Sequence, residues 1–320
     1  MAQPTSQAVH AVDVPLTNIS TAYIQNQAHY IASKVFPIVP VQYQSNAYYT
    51  FTKNDWFRDE ARPRADGQES AGSGYGLSTA TYNCVLEAFH KDIGYQARQN
   101  ADPALNLEMQ ATEFVTQRLL LRREKQWAAD FFVTGIWGTS TTPTLWSTYS
   151  TSDPIGDIET GKETILTSTG YLPNTLVLGY QVYQALKNHP DIIDRVKYTN
   201  YNASVTPTQQ LLAALFDVDN VHVAMATNAT NVEGETAAMA MVQGKHALLC
   251  YSAPVPSLLT PSAGYVFSWR GVSGGIAGAE IGMSRFWMDK EKADRVEGEI
   301  AYDNKLVAAD LGYMFIDVVA

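Results

Sequence analysis

The sequence predicts an α+β protein in which an N-terminal arm, a long β-hairpin, a long helix and an α/β domain follow one another along the chain. Three observations carry this prediction. Two segments rich in aromatic and β-branched residues flank a long polar stretch, as two strands and their connection do. Residues 104–133 keep apolar residues at helical spacing without a Gly or Pro. Between residues 165 and 265, short apolar runs alternate with helical patterns, which is typical of an α/β domain.

Residues 1–40 form the predicted arm. The first twenty residues are polar, are interrupted by two prolines and carry a single acidic residue, Asp13, so they cannot bury much surface by themselves. We expect them to be unordered or to lie on a neighbouring molecule. Near the end of the arm, Pro37 and Pro40 exclude a central strand, because proline has no N–H to donate to a ladder.

Residues 41–100 form a predicted hairpin with an oversized connection. Strand-favouring residues run up to Trp56 and resume at 79–89, whereas residues 58–76 are first charged and then Gly/Ser-rich and cannot form a core. A connection this long is uncommon and is usually functional or mobile, and a two-stranded ribbon has little core of its own. We therefore expect the hairpin to lie on another subunit.

The tip of this hairpin carries charges of both signs within a few residues of each other. Mixed charges favour directed contacts between subunits over the binding of phosphate groups. The candidate inter-subunit contact residues are Asp55, Trp56, Arg58, Asp59, Glu60, Arg62 and Arg64.

A long helix is predicted over residues 103–133. Asp102 can cap its first turn and Pro103 suits the first helical position, while acidic residues lie early and basic residues late, as the helix dipole favours. At 1.5 Å per residue, a helix of about thirty residues is roughly 45 Å long, well beyond the usual length. It is therefore predicted to be a spine of the fold.

Three basic residues of this helix, Arg118, Arg122 and Lys125, share one face, because residues three and four apart are neighbours on a helix. They are the best candidates in the chain for contact with nucleic acid. Ion pairing with a neighbouring acidic segment is the favoured alternative, because the chain carries 22 basic and 32 acidic residues and a net charge of −10.

The α/β domain is predicted from short elements separated by breaks. They are a buried strand at 176–178, a helix from Tyr180 to Asn188, a helix from Thr206 and Pro207, and strands at 221–224 and 247–251. Residues 136–160 are rich in turn-forming residues and are predicted to be turns. The alternation of apolar and polar residues after residue 280 predicts strands that return to the body of the protein.

The composition argues against several classes of protein. The negative net charge argues against a nucleic-acid reader that works by charge alone, 18 Tyr, 11 Phe and 6 Trp argue against disorder, and no apolar run approaches the roughly twenty residues of a membrane helix. Charged residues make up 17% of the chain, which fits either a surface in permanent contact with protein or a low-charge soluble enzyme. Cys84 and Cys250 lie far apart in apolar stretches, so we expect buried free thiols.

No catalytic, cofactor-binding or metal-binding constellation is found in the sequence. The phosphate-binding GxxxxGK[ST] and zinc-binding HExxH motifs are absent, and no two of the six histidines are spaced two to four residues apart. Paired carboxylates such as Glu297 and Glu299 are interpreted as a solvated acidic surface. The Gly-rich run at 271–278 is interpreted as a flexible or closely packed turn.

The order of these segments resembles that of the major capsid proteins of tailed bacteriophages, whose Hong-Kong-97-like fold is shared with encapsulins. Three stretches carry the resemblance: VDVPLTNISTAYIQNQAHYIASKVFPIVPV in the arm, DWFRDEARPRADG in the hairpin and TLVLGYQVYQALKNHPDIIDRVKY in the α/β domain. The resemblance implies an N-terminal arm at 1–40, an extended loop at 41–100, a peripheral domain with the spine helix at 101–164, an axial domain at 165–265 and return strands of the peripheral domain at 266–320.

The resemblance also implies a function. The chain would be a structural protein and not an enzyme, assembling with itself into hexamers and pentamers of an icosahedral shell around double-stranded DNA, in the cytoplasm of a bacterial host. The implied partners are a separate scaffolding protein, a portal protein and a decoration protein, with weak nonspecific contact to DNA through the lumen and no contact with a membrane. Some members cross-link a Lys of the loop to an Asn of the peripheral domain. Lys53 and Asn304 have the right types, although ordinary surface residues are the favoured interpretation.

Two alternatives remain open at this point. An encapsulin would have the same fold but would enclose a protein cargo, which it would hold in an apolar pocket on the inner side. A soluble α/β enzyme would need polar residues converging in a cleft. Its long exposed hairpin would be an aggregation liability in a monomer.

Overall fold

The computed structural model describes residues 25–51, 53–101, 106–199, 208–257, 260–272 and 281–320. Several predicted features therefore lie outside the described residues: most of the arm, the helix start at Asp102 and Pro103, the helix start at Thr206 and Pro207, and most of the Gly-rich run. Tertiary contacts divide the chain into two units. The first takes in residues up to 27, 86–122 and 272–301, and the second takes in 28–85, 123–271 and 302–320.

The described residues contain one long helix, several short ones and many short strands. The helices are α1 (Lys53–Trp56), α2 (Tyr95–Gln99), α3 (Leu107–Phe131), α4 (Pro154–Thr169), α5 (Tyr180–Lys187), α6 (Pro190–Thr199) and α7 (Gln209–Phe216). The strands are β1 (Ile38–Val41), β2 (Ser45–Phe51), β3 (Leu77–Asn83), β4 (Val85–Gly94), β5 (Thr139–Thr141), β6 (Thr175–Gly179), β7 (Asn220–Ala224), β8 (Thr227–Ala229), β9 (Met239–Met241), β10 (Ala247–Cys250), β11 (Gly264–Trp269), β12 (Gly282–Met288), β13 (Ala293–Leu306) and β14 (Gly312–Phe315).

The second unit is built on a five-stranded mixed sheet with the strand order β5-β14-β10-β6-β7. Strands β6, β10 and β14 are buried along their whole length, as expected for central strands with both faces covered. The predicted strands at 176–178, 221–224 and 247–251 are confirmed as β6, β7 and β10, and the predicted helix after β6 is confirmed as α5. A small separate hairpin, β8–β9, was not predicted.

Helix α4 corrects the last part of the predicted turn region, since residues 154–160 are helical, whereas bends and turns occupy much of residues 136–153 around β5. Its sequence contains two glycines and many β-branched residues, which lower intrinsic helix propensity. The fold compensates in two ways. Asp153 caps the first turn by accepting the N–H of Gly156 at 3.0 Å, and Ile155, Ile158 and Ile165 are buried on one side. Burial of that side therefore outweighs the weak local preference.

The last strand differs from the predicted return to the peripheral domain. β14 pairs with β10 in antiparallel and with β5 in parallel orientation, so the C-terminal residues lie inside the α/β sheet. Pro190 separates two consecutive helices of this unit. It follows the end of α5 and begins α6, because proline is well accommodated at the first position of a helix.

The predicted hairpin is confirmed as β2 and β3, which pair in antiparallel register from Ser45↔Asn83 to Phe51↔Leu77. Trp56 lies in the short helix α1 and not in a strand. At the base of the hairpin, Tyr82 stacks on Phe267 of β11 with ring centroids 4.6 Å apart. β1 pairs with β11 alone and is an edge strand, as its prolines predict.

The long helix is confirmed over Leu107–Phe131 and ends earlier than predicted, while its predicted start lies outside the described residues. α3 has 25 residues, about 37 Å at 1.5 Å per residue. Asn106 caps it by accepting the N–H of Met109 at 3.1 Å. α3 and β13 each begin in the first unit and continue into the second. None of the described helices is long and apolar enough to cross a membrane.

Close packing and ion pairs hold the first unit together. Val115 of α3 packs on Gly298 of β13, where an added Cβ would stand 2.6 Å from Val115 Cγ1. Asp294, 6% exposed, pairs with Arg98 and with Arg285, the latter at 3.2 Å. Since both arginines also pair with Glu108, α2, α3, β12 and β13 share one network that compensates the buried charge of Asp294.

Candidate inter-subunit surface

The tip of the hairpin is the most exposed stretch of the described chain. Every residue from 56 to 79 is exposed. Trp56, Phe57 and Tyr75 keep 56%, 63% and 63% of their surface accessible. Neighbouring exposed aromatic rings are unusual on a monomer and mark interaction sites.

Two of these exposed rings, Trp56 and Tyr75, contact each other and Phe51. Trp56 contacts Phe51 and Tyr75 with ring centroids 6.1 and 5.6 Å apart, and Phe51 contacts Tyr75 at 6.1 Å. Asp55 accepts the backbone N–H of Gly76 at 2.8 Å, which joins the two ends of the tip. The sequence singled out Asp55 and Trp56 but missed Phe57 and Tyr75, because they fall in a segment whose composition indicates a loop.

The charged candidates of the tip are exposed and lie close together along the chain. Arg58 and Glu60 approach each other to 3.8 Å, with 60% and 42% of their side chains accessible. Asp59, Arg62 and Arg64 are exposed as well. Charges placed in this way contribute little to the stability of a single subunit and are available to orient a partner.

A cavity of about 770 Å³ lies between the hairpin and the body of the second unit. Its hairpin wall includes Tyr48, Tyr49, Trp56 and Phe57, and none of the described residues that line it is charged. The body wall consists of Tyr171, Pro256, Ser257, Thr260, Pro261, Tyr265, Phe267, Val307 and Ala308. The hairpin therefore stands over an apolar space that its own side chains do not fill.

Contacts near this cavity connect the hairpin tip to the body. Lys53 Nζ of α1 lies 2.5 Å from Asp310 Oδ2. The ring of Phe57 lies over Gly170, where an added Cβ would come within 3.3 Å of the ring. Gly170 terminates α4 with a φ of 73°, a conformation that glycine adopts readily.

Two of the three basic residues on this face of α3 contact other side chains of the same unit. Arg122 pairs with Glu87 of β4 at 2.8 Å, and the guanidinium of Arg118 lies 5.1 Å from the ring centre of Phe114, close enough for a cation–π contact. Lys125 is exposed. Arg118 and Arg122 belong to the first unit, whereas Lys125 belongs to the second.

A buried carboxylate that the sequence did not reveal lies on the same helix. Glu124 is fully buried, and its Oε2 accepts the backbone N–H groups of Ile31 and Ala32 at 3.0 and 2.9 Å. Its Oε1 accepts from Gln243 Nε2 at 2.5 Å. Burial raises the pKa of Glu124, and the hydrogen bonds oppose that rise. Glu124 therefore anchors the end of the arm to the spine helix.

Ser152, His189 and Asp191 are the residue types of a nucleophilic triad. Their hydrogen bonds, however, run in the wrong direction for one. Ser152 Oγ lies 3.0 Å from His189 Nε2, while His189 Nδ1 accepts the backbone N–H of Asp191 at 3.3 Å. With Nδ1 accepting, Nε2 is the nitrogen that donates to Ser152, whose hydroxyl donates to the carbonyl of Thr148 at 2.9 Å. No base in this group can take the serine proton.

The remaining candidate residues are held within the second unit. Asn304 donates to Asp130 Oδ2 at 2.8 Å, while Lys53 pairs with Asp310, so each cross-linking candidate has a carboxylate partner in its own chain. Both cysteines are buried free thiols, as predicted. Among the described residues, no group of three or more His, Cys, Asp or Glu side chains could hold a metal ion.

Comparison with known proteins finds relatives among the capsid proteins of phages. No family model matches the chain. The major capsid protein of Burkholderia phage BcepMu is 31% identical over 222 residues, 67% of this chain and 69% of the relative. The major capsid protein of Pseudomonas phage JBD67 is 25% identical over 332 residues, 98% of this chain and 99% of the relative.

Solved structures share the fold. A phage-related protein from Bordetella bronchiseptica RB50 matches with a TM-score of 0.69 and 24% identity over 92% of this chain and 94% of that chain. The mature capsid of bacteriophage PhiM1 matches with a TM-score of 0.57 and 11% identity over 93% and 89% of the two chains. These likenesses, with the relative that is 31% identical over two thirds of both chains, show that this chain belongs to the major capsid proteins of phages and has their Hong-Kong-97-like fold.

Proposed function

We propose that this capsid protein assembles with itself into the hexamers and pentamers of an icosahedral shell around double-stranded DNA, and that the extended loop supplies the main contact between subunits. The observation that supports this proposal is the exposure of Trp56, Phe57 and Tyr75, in a hairpin whose own chain does not cover them. Rigid exposed aromatic rings are the anchors that protein partners bury.

The energetics favour many weak contacts over one strong one. Full burial of a large apolar side chain contributes about 1.5–3 kcal/mol. Since slightly more than half of each ring is still accessible, each would contribute roughly 1–1.5 kcal/mol when a neighbour covers it. Closed symmetry repeats the contact at every subunit, so modest single contacts can hold a shell.

The charged residues of the tip would set the direction of the contact. Asp55, Arg58, Asp59, Glu60, Arg62 and Arg64 present charges of both signs, which favour one orientation of the neighbour over others. Because these charges are exposed, their contribution falls as salt concentration rises.

The charge distribution supports weak contact with packaged DNA. The chain has a net charge of −10, and Arg122 on the basic face of α3 is already paired with Glu87. A wall of this kind would contact phosphates without holding them firmly. Scaffolding, portal and decoration proteins complete the set of proposed partners, with assembly in the host cytoplasm before the shell becomes part of the virion.

The test is electron microscopy and light scattering of the purified protein, expressed alone and with a scaffolding protein. We expect closed shells or rings of five and six subunits. The double variant Trp56→Ala/Phe57→Ala should fold, by circular dichroism, but should not assemble. Gln68→Ala, a change in the same exposed tip that removes no ring, should assemble like the unchanged protein.

Two outcomes would contradict the proposal. A stable monomer at high concentration, with scaffolding protein present, would show that the chain does not close a shell by itself. Normal assembly of the double aromatic variant would show that the extended loop is not the main contact. Shells filled with a protein cargo in place of DNA would favour the encapsulin alternative.

A further inference from the structure

In the free subunit, the extended loop contacts the body of its own chain. Lys53 at the start of α1 pairs with Asp310, and Phe57 at the end of α1 lies over Gly170. Asp310 is well placed for this role. It lies in the turn Ala309–Leu311 directly before β14, and Gly138 donates its N–H to the carbonyl of Ala309 at 3.0 Å. The anchor on the body is thus part of the α/β sheet, whereas the loop is exposed.

The closed position of the loop is loosely packed. A cavity of about 770 Å³ that is partly open to solvent lies beneath it, so the loop and the body do not pack closely along this face. Tyr49, Trp56 and Phe57 are all more than half exposed. An interface that had reached its most stable arrangement would cover these rings, so the contact of the loop with its own body is weak.

The ion pair is also of the weak kind. The side chains of Lys53 and Asp310 are 41% and 49% exposed, and exposed pairs are screened by water and salt. The lining of the cavity contributes no charge of its own. The closed position therefore depends on one charged contact whose strength responds to salt.

We propose that the Lys53–Asp310 ion pair is a latch that holds the extended loop against its own body in the free subunit and opens when the loop moves onto a neighbour. This inference rests on the proposed function, in which the same aromatic rings contact another subunit. A loop that moves onto a neighbour gives up its Lys53–Asp310 and Phe57–Gly170 contacts, so the contact with its own body competes with that movement. By slowing the release of the loop, the latch limits assembly of subunits that have not yet met a correct partner.

The experiment measures the position of the loop in unassembled protein. Spin labels on Ser73→Cys in the tip and Thr167→Cys on α4 report their separation, and the native cysteines are fully buried and do not react. Asp310→Lys should lengthen and broaden the distance distribution. It should also speed assembly by about two- to fivefold, the range expected when an exposed ion pair is lost. Asp310→Asn tests the same loss of attraction with a side chain of nearly unchanged size.

The charge-swapped double variant Lys53→Asp/Asp310→Lys is the matched control. It restores the attraction with the signs exchanged, and it should return both the distance distribution and the assembly rate toward those of the unchanged protein. An unchanged distance distribution in both Asp310 variants would overturn the latch. Slower assembly with an unchanged distance would also overturn it, because the pair would then act between subunits. The distance measurement needs no assembly, so a failure of the proposed shell function is recognised separately.

Discussion

Replacement of Glu124 gives the sharpest prediction about stability. Its carboxylate is fully buried and accepts the N–H groups of Ile31 and Ala32 as well as one from Gln243. Glu124→Ala leaves the two backbone donors buried without an acceptor. An unsatisfied buried donor costs about 1–3 kcal/mol, so we expect a loss of roughly 2–6 kcal/mol in the free energy of unfolding, a large part of the total for a domain.

Glu124→Gln is the matched control for this change. Its carbonyl oxygen can keep both backbone donors, and its new amide N–H₂ faces Gln243. Gln243 Oε1 has no hydrogen-bond partner among the described residues, and rotation of that amide places the oxygen where it can accept. We expect Glu124→Gln to lose less than about 1.5 kcal/mol, the net contribution of a single hydrogen bond.

The same residue predicts the direction of a pH dependence. Burial raises the pKa of Glu124 above its ordinary value of 4.5. Between the unfolded and folded pKa values the folded protein therefore binds the additional proton. The contribution of Glu124 is fully present below the unfolded pKa and is lost as pH rises through the folded pKa. Glutamine does not titrate, so Glu124→Gln should remove the contribution of Glu124 to the pH dependence of the unfolding free energy.

Urea unfolding of the unassembled protein between pH 4 and pH 8, followed by tryptophan fluorescence, measures both effects. Equal losses of unfolding free energy in Glu124→Ala and Glu124→Gln would refute the reasoning, because the acceptor geometry would then be irrelevant. A slope that Glu124→Gln leaves unchanged would assign the pH dependence to other groups.

Three further predictions concern the packing and chemistry of single residues. Gly179→Ala should destabilise the fold by about 3 kcal/mol or more, because its Cβ would stand 2.0 Å from the carbonyl oxygen of Gly244. Gly94→Ala is the control, because Gly94 is a helix N-cap of nearly the same backbone conformation with nothing within 4 Å of an added Cβ, and it should change the unfolding midpoint little. Equal effects of the two changes would contradict the steric argument. Cys84 should resist thiol reagents at neutral pH until the protein unfolds, because burial raises its pKa to about 11; labelling of the folded protein at the rate of a free thiol would disprove this. Asp294→Ala should cost about 1–2 kcal/mol in the free energy of unfolding, because it removes one partner from each of Arg98 and Arg285, whose side chains are partly exposed and keep Glu108; a thermal melt of the variant that matches the unchanged protein would show that Glu108 alone compensates both arginines.

Local sequence patterns were sufficient for the elements whose preferences agree with their environment. The hairpin strands β2 and β3, the spine helix α3 and the buried strand β6 each combine a clear periodicity with clear breaks. The unbranched and apolar residues of α3 favour a helix in any context. The exposed tip was also recognisable, because its composition cannot form a core.

Other elements depend on partners far away in the chain. Helix α4 has a poor local propensity and forms because its isoleucines are buried and Asp153 caps its first turn. β14 joins the α/β sheet because β10 and β5 supply its hydrogen bonds, and no local pattern distinguishes that sheet from another. The acceptor role of Glu124 needs Ile31 and Gln243, each more than ninety residues away.

The sequence by itself therefore determined the type and order of most elements and the position of the exposed loop tip, since hydrophobic periodicity and turn chemistry act over a few neighbouring residues. Only the tertiary structure decided which sheet receives the C-terminal strand, which carboxylate is buried and which charges meet across the cavity. Those features arise when distant residues exclude water from the same place, and the energy of such a contact depends on the partner rather than on the residue alone.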